Sequence, residues 1–334
     1  MATIREIARQ ANVSPATVSR VLNGTAAVDP QTEERVLKVI RETGYKPNEV
    51  ARSLSKRSSR IIGCIVPTIA NPFFTELARA IEDESFRRGY KLILCNSDED
   101  PAKEEAYIDM LERMNADGII ITTTHEEMDA LIKACPVPMV ILDRAPSQET
   151  TAYSVRADHY QGGRLATEHL VQCGCRRIVM MTGPQKYTSA AMRLHGYRDV
   201  CREQGLKPHE VDCDFDFADG LLKTQQLLDR FPDVDGILAA NDVVALSVVK
   251  VLAAKKIRIP DQVQVVGFDN IYLSQLMTPA LTTIGQPITE IGTVAAAIVA
   301  DLVEGQTQLQ KARILPVELV IRETSRLSGE ARLR

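Results

Sequence analysis

From residue 61 onward the chain alternates short continuous apolar runs with segments of helical periodicity, and this rhythm restricts its fold more than any other feature. The runs Ile61–Pro67, Leu92–Cys95, Gly118–Thr122 and Val140–Asp143 do not alternate apolar with polar residues, so they read as strands buried on both faces of a parallel sheet. Between them, Phe73–Arg88, Ala102–Met114 and Glu126–Ala134 space their apolar residues as helices do. A second series follows Tyr153–Val155. It has a helix over Tyr160–Gln172, strands at Ile178–Thr182, Gly236–Ala239 and Val263–Phe268, and helices near Ala190–Glu203, Leu221–Arg230 and Val243–Ala254. The pattern predicts two doubly wound α/β lobes with a crevice beyond the carboxyl ends of their strands. The 334 residues leave room for one further small unit, and 45% hydrophobic with 25% charged residues is an ordinary globular balance.

That unit is the start of the chain. Residues 3–24 spell two short amphipathic helices joined by a tight turn, the form of a helix-turn-helix. The first runs over Ile4–Ala11, with Ile7, Ala8 and Ala11 on one face, and Asn12 and Val13 make the turn. Ser14 stands at the N-cap of the second, Pro15 at its first position, and Val18, Val21 and Leu22 form its buried stripe before Gly24 ends it. Asp29 and Pro30 open a third helix, whose Val36, Leu37 and Ile40 close a three-helix core before Gly44. Outward on the second helix, Thr17 and Ser19 suit phosphate oxygens. Ala16 allows close approach to base edges, and Arg20 can fork onto a guanine. Two amphipathic helices are also common in any globular protein.

Charge separates these readings. Residues 1–60 carry 11 Lys and Arg against 6 Asp and Glu, while the rest of the chain carries 29 against 38. A basic head on an acidic body is what phosphate affinity requires, and the whole-chain net of −4 conceals it. After the head, Asn48 can cap a very short helix over Glu49–Ser55, with Val50, Ala51 and Leu54 on one face. So short a helix is marginal alone. It reads either as a charged linker or as a hinge that folds against its copy in a dimer on DNA, with Leu54 wedged into the minor groove.

The head, the Tyr45-Lys46-Pro47-Asn48 run and the Ala51-Arg52-Ser53-Leu54 segment together resemble the lactose-repressor (LacI/GalR) family of bacterial sugar-responsive transcription regulators. The likeness covers the whole chain. It implies a helix-turn-helix head over residues 1–46, a hinge helix and linker over 47–59, and a periplasmic-binding-protein-like body. In that body the effector-binding N-terminal lobe takes 60–157 and 287–314, and the C-terminal lobe 158–286 and 315–328. Carried onto this sequence, Pro15, Ala16 and Arg20 fall on base-reading positions, Thr17 and Ser19 on phosphate contacts, and Leu54 on an intercalating leucine. Thr3, Asn23, Asn48, Ala51, Arg52 and Lys56 complete the expected contacts to double-stranded operator DNA. Pro15 and Ala16 have no side-chain hydrogen bond for a base, so sequence reading rests largely on Arg20.

Polar residues at strand ends carry the rest. Asn71-Pro72-Phe73-Phe74 follows the first strand and Asp143-Arg144 the fourth, while Asn241-Asp242 and Asp269-Asn270 follow strands of the second lobe. A sugar needs fixed polar groups for its hydroxyls and aromatic faces for its C–H patches. Asn71, Asp143, Arg144, Arg193, Asn241, Asp269 and Gln286 supply the first kind, and Phe73, Phe74 and Phe215 the second. The set is similar, position by position, to the pocket of ribose-binding periplasmic proteins and of ribose-responsive family members. Tyr187 stands where the purine-responsive branch is expected to carry an arginine. The resemblance therefore implies ribose or a related monosaccharide as effector, acting as inducer. A corepressor sign also occurs in the family, and a sugar-binding transport module is the rival reading.

Enzymatic signatures are missing: there is no G-x-x-x-x-G-K-[ST], no G-x-S-x-G and no H-E-x-x-H, and the five histidines lack metal-ligand spacing. No enzyme activity, metal or cofactor is expected. The seven cysteines have no C-x-x-C pair and read as reduced core thiols. No apolar run reaches the roughly 18 residues of a membrane span, and the start has no signal-peptide core, so a cytoplasmic protein is expected. The strand-like Leu315–Arg322 is followed by no apolar heptads, which predicts a homodimer with faces at Phe73–Arg88 and Ile291–Val303.

Overall fold

A computed structural model describes residues 3–24, 26–45, 58–125, 127–144, 152–306 and 310–326. The chain divides into two compact units, residues 1–59 and 60–334. The first holds helices α1 (Ile4–Gln10), α2 (Pro15–Asn23) and α3 (Pro30–Thr43). Local chemistry sets each boundary. Thr3 and Glu6 form a reciprocal capping box, Ser14 and Asp29 cap the next two helices ahead of a proline, and Gly24 and Gly44 take the left-handed conformation that ends them. Ile7, Ala8, Ala11, Val18 and Val36 form the core. Leu37 departs from expectation. It lies 36% exposed, because its neighbour Val36 faces α1 and α2 and one helical step turns Leu37 away.

The second unit contains two six-stranded sheets. Sheet 1 has the order β11-β5-β4-β3-β1-β2 and is parallel throughout. Its strands are β1 (Ile61–Val66), β2 (Lys91–Asn96), β3 (Gly118–Thr122), β4 (Met139–Leu142), β5 (Tyr153–Ala157) and β11 (Ala312–Leu315). Sheet 2 has the order β12-β10-β9-β8-β6-β7, and only β12 runs antiparallel to its neighbour. It is built from β6 (Ile178–Met181), β7 (His209–Val211), β8 (Gly236–Leu238), β9 (Gln264–Asp269), β10 (Thr282–Gly285) and β12 (Glu318–Val320). Strand order reverses between β1 and β3 in one lobe and between β6 and β8 in the other, which are the points where such sheets open a crevice.

The helices are α4 (Pro72–Arg87), α5 (Pro101–Arg113), α6 (Met128–Ala134), α7 (His159–Gln172), α8 (Thr188–Glu203), α9 (Phe217–Arg230), α10 (Asp242–Ala254), the single turn α11 (Leu273–Leu276) and α12 (Ile288–Val303). The chain passes between lobes three times, after β5, after β10 and after β11. The expected strand Leu315–Arg322 is therefore two strands in different sheets. Pro316 removes a ladder N–H where the chain crosses over, and the continuous apolar pattern masks the break. One side of α12 is committed to the first lobe. Ile291, Ala295, Ala296 and Val299 are buried in the first-lobe core, and Gly292 brings the helix so close to α4 that a Cβ there would lie 2.7 Å from that of Ala80. Outward on α4, Phe86 remains 74% exposed.

Candidate functional site

The second helix of the head carries five of the expected DNA-contacting residues with solvent access. Pro15, Ala16 and Arg20 are exposed along α2, and Thr17 and Ser19 are half-buried beside them. The Thr17 hydroxyl lies 2.9 Å from Ser14 Oγ, so it helps hold the cap as well as facing outward. Thr3 donates its backbone N–H to Glu6 Oε2 over 2.8 Å, which fixes the start of α1. Asn23 ends α2. Asn48, Ala51, Arg52, Leu54 and Lys56 lie outside the described residues.

In the body, nine of the ten residues expected to touch an effector line one cavity of about 410 Å³. Asn71 caps α4 through its Oδ1, which accepts the Phe73 N–H at 3.0 Å. That cap sets Phe73 and Phe74 side by side, their rings edge to face at 5.1 Å. Asn241 does the same for α10. Its Oδ1 accepts from Val244 N at 2.8 Å, while its amide donates to the Phe215 carbonyl at 3.3 Å. Asp143 follows β4 and Asp269 is the last residue of β9, with φ of +65° and +115°, conformations that residues other than glycine rarely adopt. Each carboxylate is thus turned out of its strand and toward the crevice, a strain of the kind that binding sites hold.

Arg193 is the centre of the second-lobe wall. It is 5% exposed and donates to the Ala240 carbonyl at 2.7 Å. Its guanidinium lies 3.7 Å from the centre of the Phe268 ring, a cation–π stack that fixes its plane, and its Nη2 is 3.7 Å from Asp269 Oδ1. Gln286 donates to the same Asp269 oxygen at 2.7 Å, leaving its own buried Oε1 without a protein partner. Thr122 Oγ1, on the opposite wall, is likewise buried and unpartnered. Buried polar atoms are seldom left so, and both are open to ligand hydroxyls.

Burial pushes the Asp269 carboxyl up to about 7, against the opposing pull of Arg193 and Gln286, with Asp143 and Glu76 adding to the rise. Asp242 is also held well above its ordinary value by burial and by Asp269. It accepts from Thr283 Oγ1 at 2.6 Å and from Ile271 N at 2.9 Å, pinning β9 and β10 beneath the site. For Asp143 burial is outweighed by His159, Arg193 and Ser189, so it stays below the usual carboxylate range. His159 is lowered by burial first and by Arg193, against the pull of Asp143, and so remains neutral.

Arg144 is the tenth expected residue, and it belongs elsewhere. Its Nε donates to the Thr123 carbonyl at 2.9 Å and its Nη2 pairs with buried Asp129 on α6. Because Asp143 turns through a positive φ, the next side chain points back into the first lobe. Residues not anticipated line the cavity too: Thr122, Glu99, Lys186, Ser189, Asp214 and Asp216. Glu99 and Lys186 come from different lobes and pair at 3.3 Å across the rim. Tyr187 packs against Phe215 with ring centres 5.5 Å apart. Among the described residues that line the cavity, five are acidic, Glu99, Asp143, Asp214, Asp216 and Asp269, against two basic, Lys186 and Arg193.

A helix-turn-helix head with an exposed arginine on its second helix, joined to a two-lobed body whose crevice offers carboxylates, amides and aromatic faces, defines a ligand-responsive DNA-binding regulator. The comparisons agree. Residues 3–48 match the model of "Bacterial regulatory proteins, lacI family", and residues 59–323 that of "Periplasmic binding proteins and sugar binding domain of LacI family". The chain belongs to the LacI family and is a sugar-responsive DNA-binding repressor. It is 41% identical to the ribose operon repressor of Halalkalibacterium halodurans over 98% of each chain. It is also 35% identical to the repressor PurR of Haemophilus influenzae, over 97% of this chain and 98% of that one. Among solved structures, the lac repressor dimer bound to operator and the anti-inducer ONPF matches with TM-score 0.89 and 29% identity over 97% of this chain and 98% of that chain. A LacI family regulator from Enterococcus faecium with bound ribose matches at 0.72 and 29%, covering 79% and 98%. Among the described residues, no helix is long and apolar enough to cross a membrane.

Proposed function

We propose that this repressor is controlled by ribose or a close monosaccharide acting as inducer, bound by Asn71, Phe73, Phe74, Asp143, Arg193, Phe215, Asn241, Asp269 and Gln286. The observation that carries the reading is that these residues, scattered over more than 200 positions, line one cavity of about 410 Å³ together with two buried oxygens that have no partner among the described residues. Such a volume suits a small ligand. The excess of carboxylates argues for a neutral polyol over a phosphorylated sugar, whose charge would meet like charge. The ribose operon repressor relatives and the ribose-bound neighbour support the same choice. Tyr187 and Phe215 fill the side of the cavity where a purine-recognising arginine is expected.

The regulator acts in the cytoplasm as a homodimer, with the outward side of α4 and the edge strand β2, where Phe86 and Leu94 are exposed, as part of the subunit contact. Thr3, Pro15, Ala16, Thr17, Ser19, Arg20 and Asn23, with Asn48, Ala51, Arg52, Leu54 and Lys56, contact the operator. Ribose favours a lobe arrangement in which the heads no longer fit their half-sites. Sugar and operator then weaken each other by the same factor. The test is a thermal-melt screen of the full chain with ribose, other pentoses and hexoses. A ligand at a hundred times its Kd adds about 2.7 kcal/mol of stability, so ribose is expected to raise Tm by several degrees. No shift with any of these sugars would overturn the assignment.

A further inference from the structure

His159 lies two residues beyond β5, where the chain first leaves sheet 1 for the second lobe, and its imidazole is 3% exposed. It touches an expected sugar ligand from each lobe. Its Nε2 is 2.8 Å from Asp143 Oδ1, at the end of β4 in the first lobe. On the other side Arg193 Nε, on α8 of the second lobe, donates to its Nδ1 at 3.4 Å. The two partners demand one tautomer. A carboxylate can only accept, so Nε2 carries the proton; a guanidinium can only donate, so Nδ1 is bare.

The surroundings hold this arrangement. Gly163 on α7 and Gly196 on α8 let the two backbones touch: a Cβ at Gly163 would fall 2.1 Å from the Arg193 carbonyl oxygen, and one at Gly196 2.3 Å from that of Tyr160. A side chain at either position would push the two helices apart. The imidazole also stacks obliquely on Phe268, with ring centres 5.9 Å apart, and Phe268 carries the Arg193 guanidinium on its face. From Arg193 the chain of contacts continues to Asp269 and Gln286, the latter at the second passage between lobes.

We propose that His159 is a positioning residue that ties the sugar ligands of the two lobes into one unit, so that occupancy of the cavity sets how the lobes are held. It touches no sugar and acts through Asp143 and Arg193. A donor at one end and an acceptor at the other is what a neutral imidazole offers in a rigid ring, and a sugar bonded to both ligands lies parallel to that bridge. The inference rests on the ribose reading above.

Two substitutions divide the bridge. His159→Gln keeps a donor at the distal position for Asp143 and loses the proximal acceptor. His159→Asn keeps an acceptor near Nδ1 for Arg193 and loses the donor. The full-length parent and both variants are compared by calorimetry with ribose and by operator titration with and without saturating ribose. The readout is the ratio of the two operator Kd values, which packing alone does not move. Linkages of this kind give ratios of about 5–150; the parent is expected in that range, and both variants below about threefold while still binding ribose. A parent-like ratio in both would overturn the proposal. If the parent itself binds no ribose in the calorimeter, the effector reading fails and this inference falls with it. Should a variant not fold, ¹⁵N spectra of the histidine-labelled parent decide. An imidazole held as the Nε2–H tautomer and shifted by ribose is expected, and spectra in which ribose moves no imidazole would overturn the proposal.

Discussion

The DNA-reading helix and the sugar cleft solve recognition in opposite ways. On α2 the reading side chains are exposed and the core is made by others, Val18 among them, so Arg20 has no part in holding the fold. In the cleft the recognition groups hold one another: Arg193 stacks on Phe268, faces Asp269 and donates to His159, and Asn71 and Asn241 cap the helices that carry their neighbours. Operator preference can therefore change at little structural cost. The cleft cannot, because Arg193, Asn71 and Asn241 also hold its walls together.

Arg193→Ala tests that difference most severely. It removes a proposed sugar contact and strands buried Asp269, so ribose binding should be lost and stability should fall by about 3 kcal/mol or more. An unchanged Tm would show that the cleft is not self-supporting. Arg20→Ala should do the reverse, costing about 1–3 kcal/mol of base discrimination per half-site with Tm unaltered. Operator and scrambled DNA compared in one titration would read it. Thr17→Ala is expected to weaken both DNAs alike by a smaller factor and to cost some stability through the Ser14 cap it supports, about 1 kcal/mol at most.

The pH effect is smaller still. Asp269 is raised to about 7 in the folded chain, so it is mostly protonated at pH 6 and mostly ionised at pH 8. Sugar hydroxyls donate better to the ionised form. Ribose affinity is therefore expected to strengthen from pH 6 to pH 8 by at most about tenfold, because the ionised fraction of a group titrating near 7 rises from about a tenth to about nine tenths over that range. For stability the sign is opposite. A carboxyl with a raised folded-state value disfavours folding increasingly as pH rises from the unfolded-state value toward 7, and Asp269→Asn should relieve this above pH 7. A flat affinity profile in calorimetry would contradict the burial of Asp269.

The same contrast decides what could be read from the chain alone. The head is written locally, with caps, prolines and glycines adjacent to the helices they bound, and the α/β alternation of the body is equally direct. Strands β7, β10 and β11 were not legible because they are three or four residues long, with polar residues in them. Arg144 shows the limit at the site. An arginine after a strand reads the same whether it faces a crevice or its own lobe, and only the positive φ at Asp143 and the arrival of Asp129 on α6 decide. His159 and Asp242 acquire their roles from residues 16 to 41 positions away, which no spacing rule brings together. Nine expected residues line the cavity: Asn71, Asp143, Asn241 and Asp269 stand out in the sequence as polar residues after strands, whereas Arg193, Phe215 and Gln286 entered through the family resemblance, because no local pattern marks them.

A sugar in the cleft is proposed to govern the head. This control is tested most directly by titrating full-length protein against its operator with and without ribose at saturation, with binding of ribose followed in parallel by calorimetry. Bound ribose is expected to raise the operator Kd by about 5–150-fold. Ribose that binds and leaves operator affinity unchanged, or tightens it, would contradict the account.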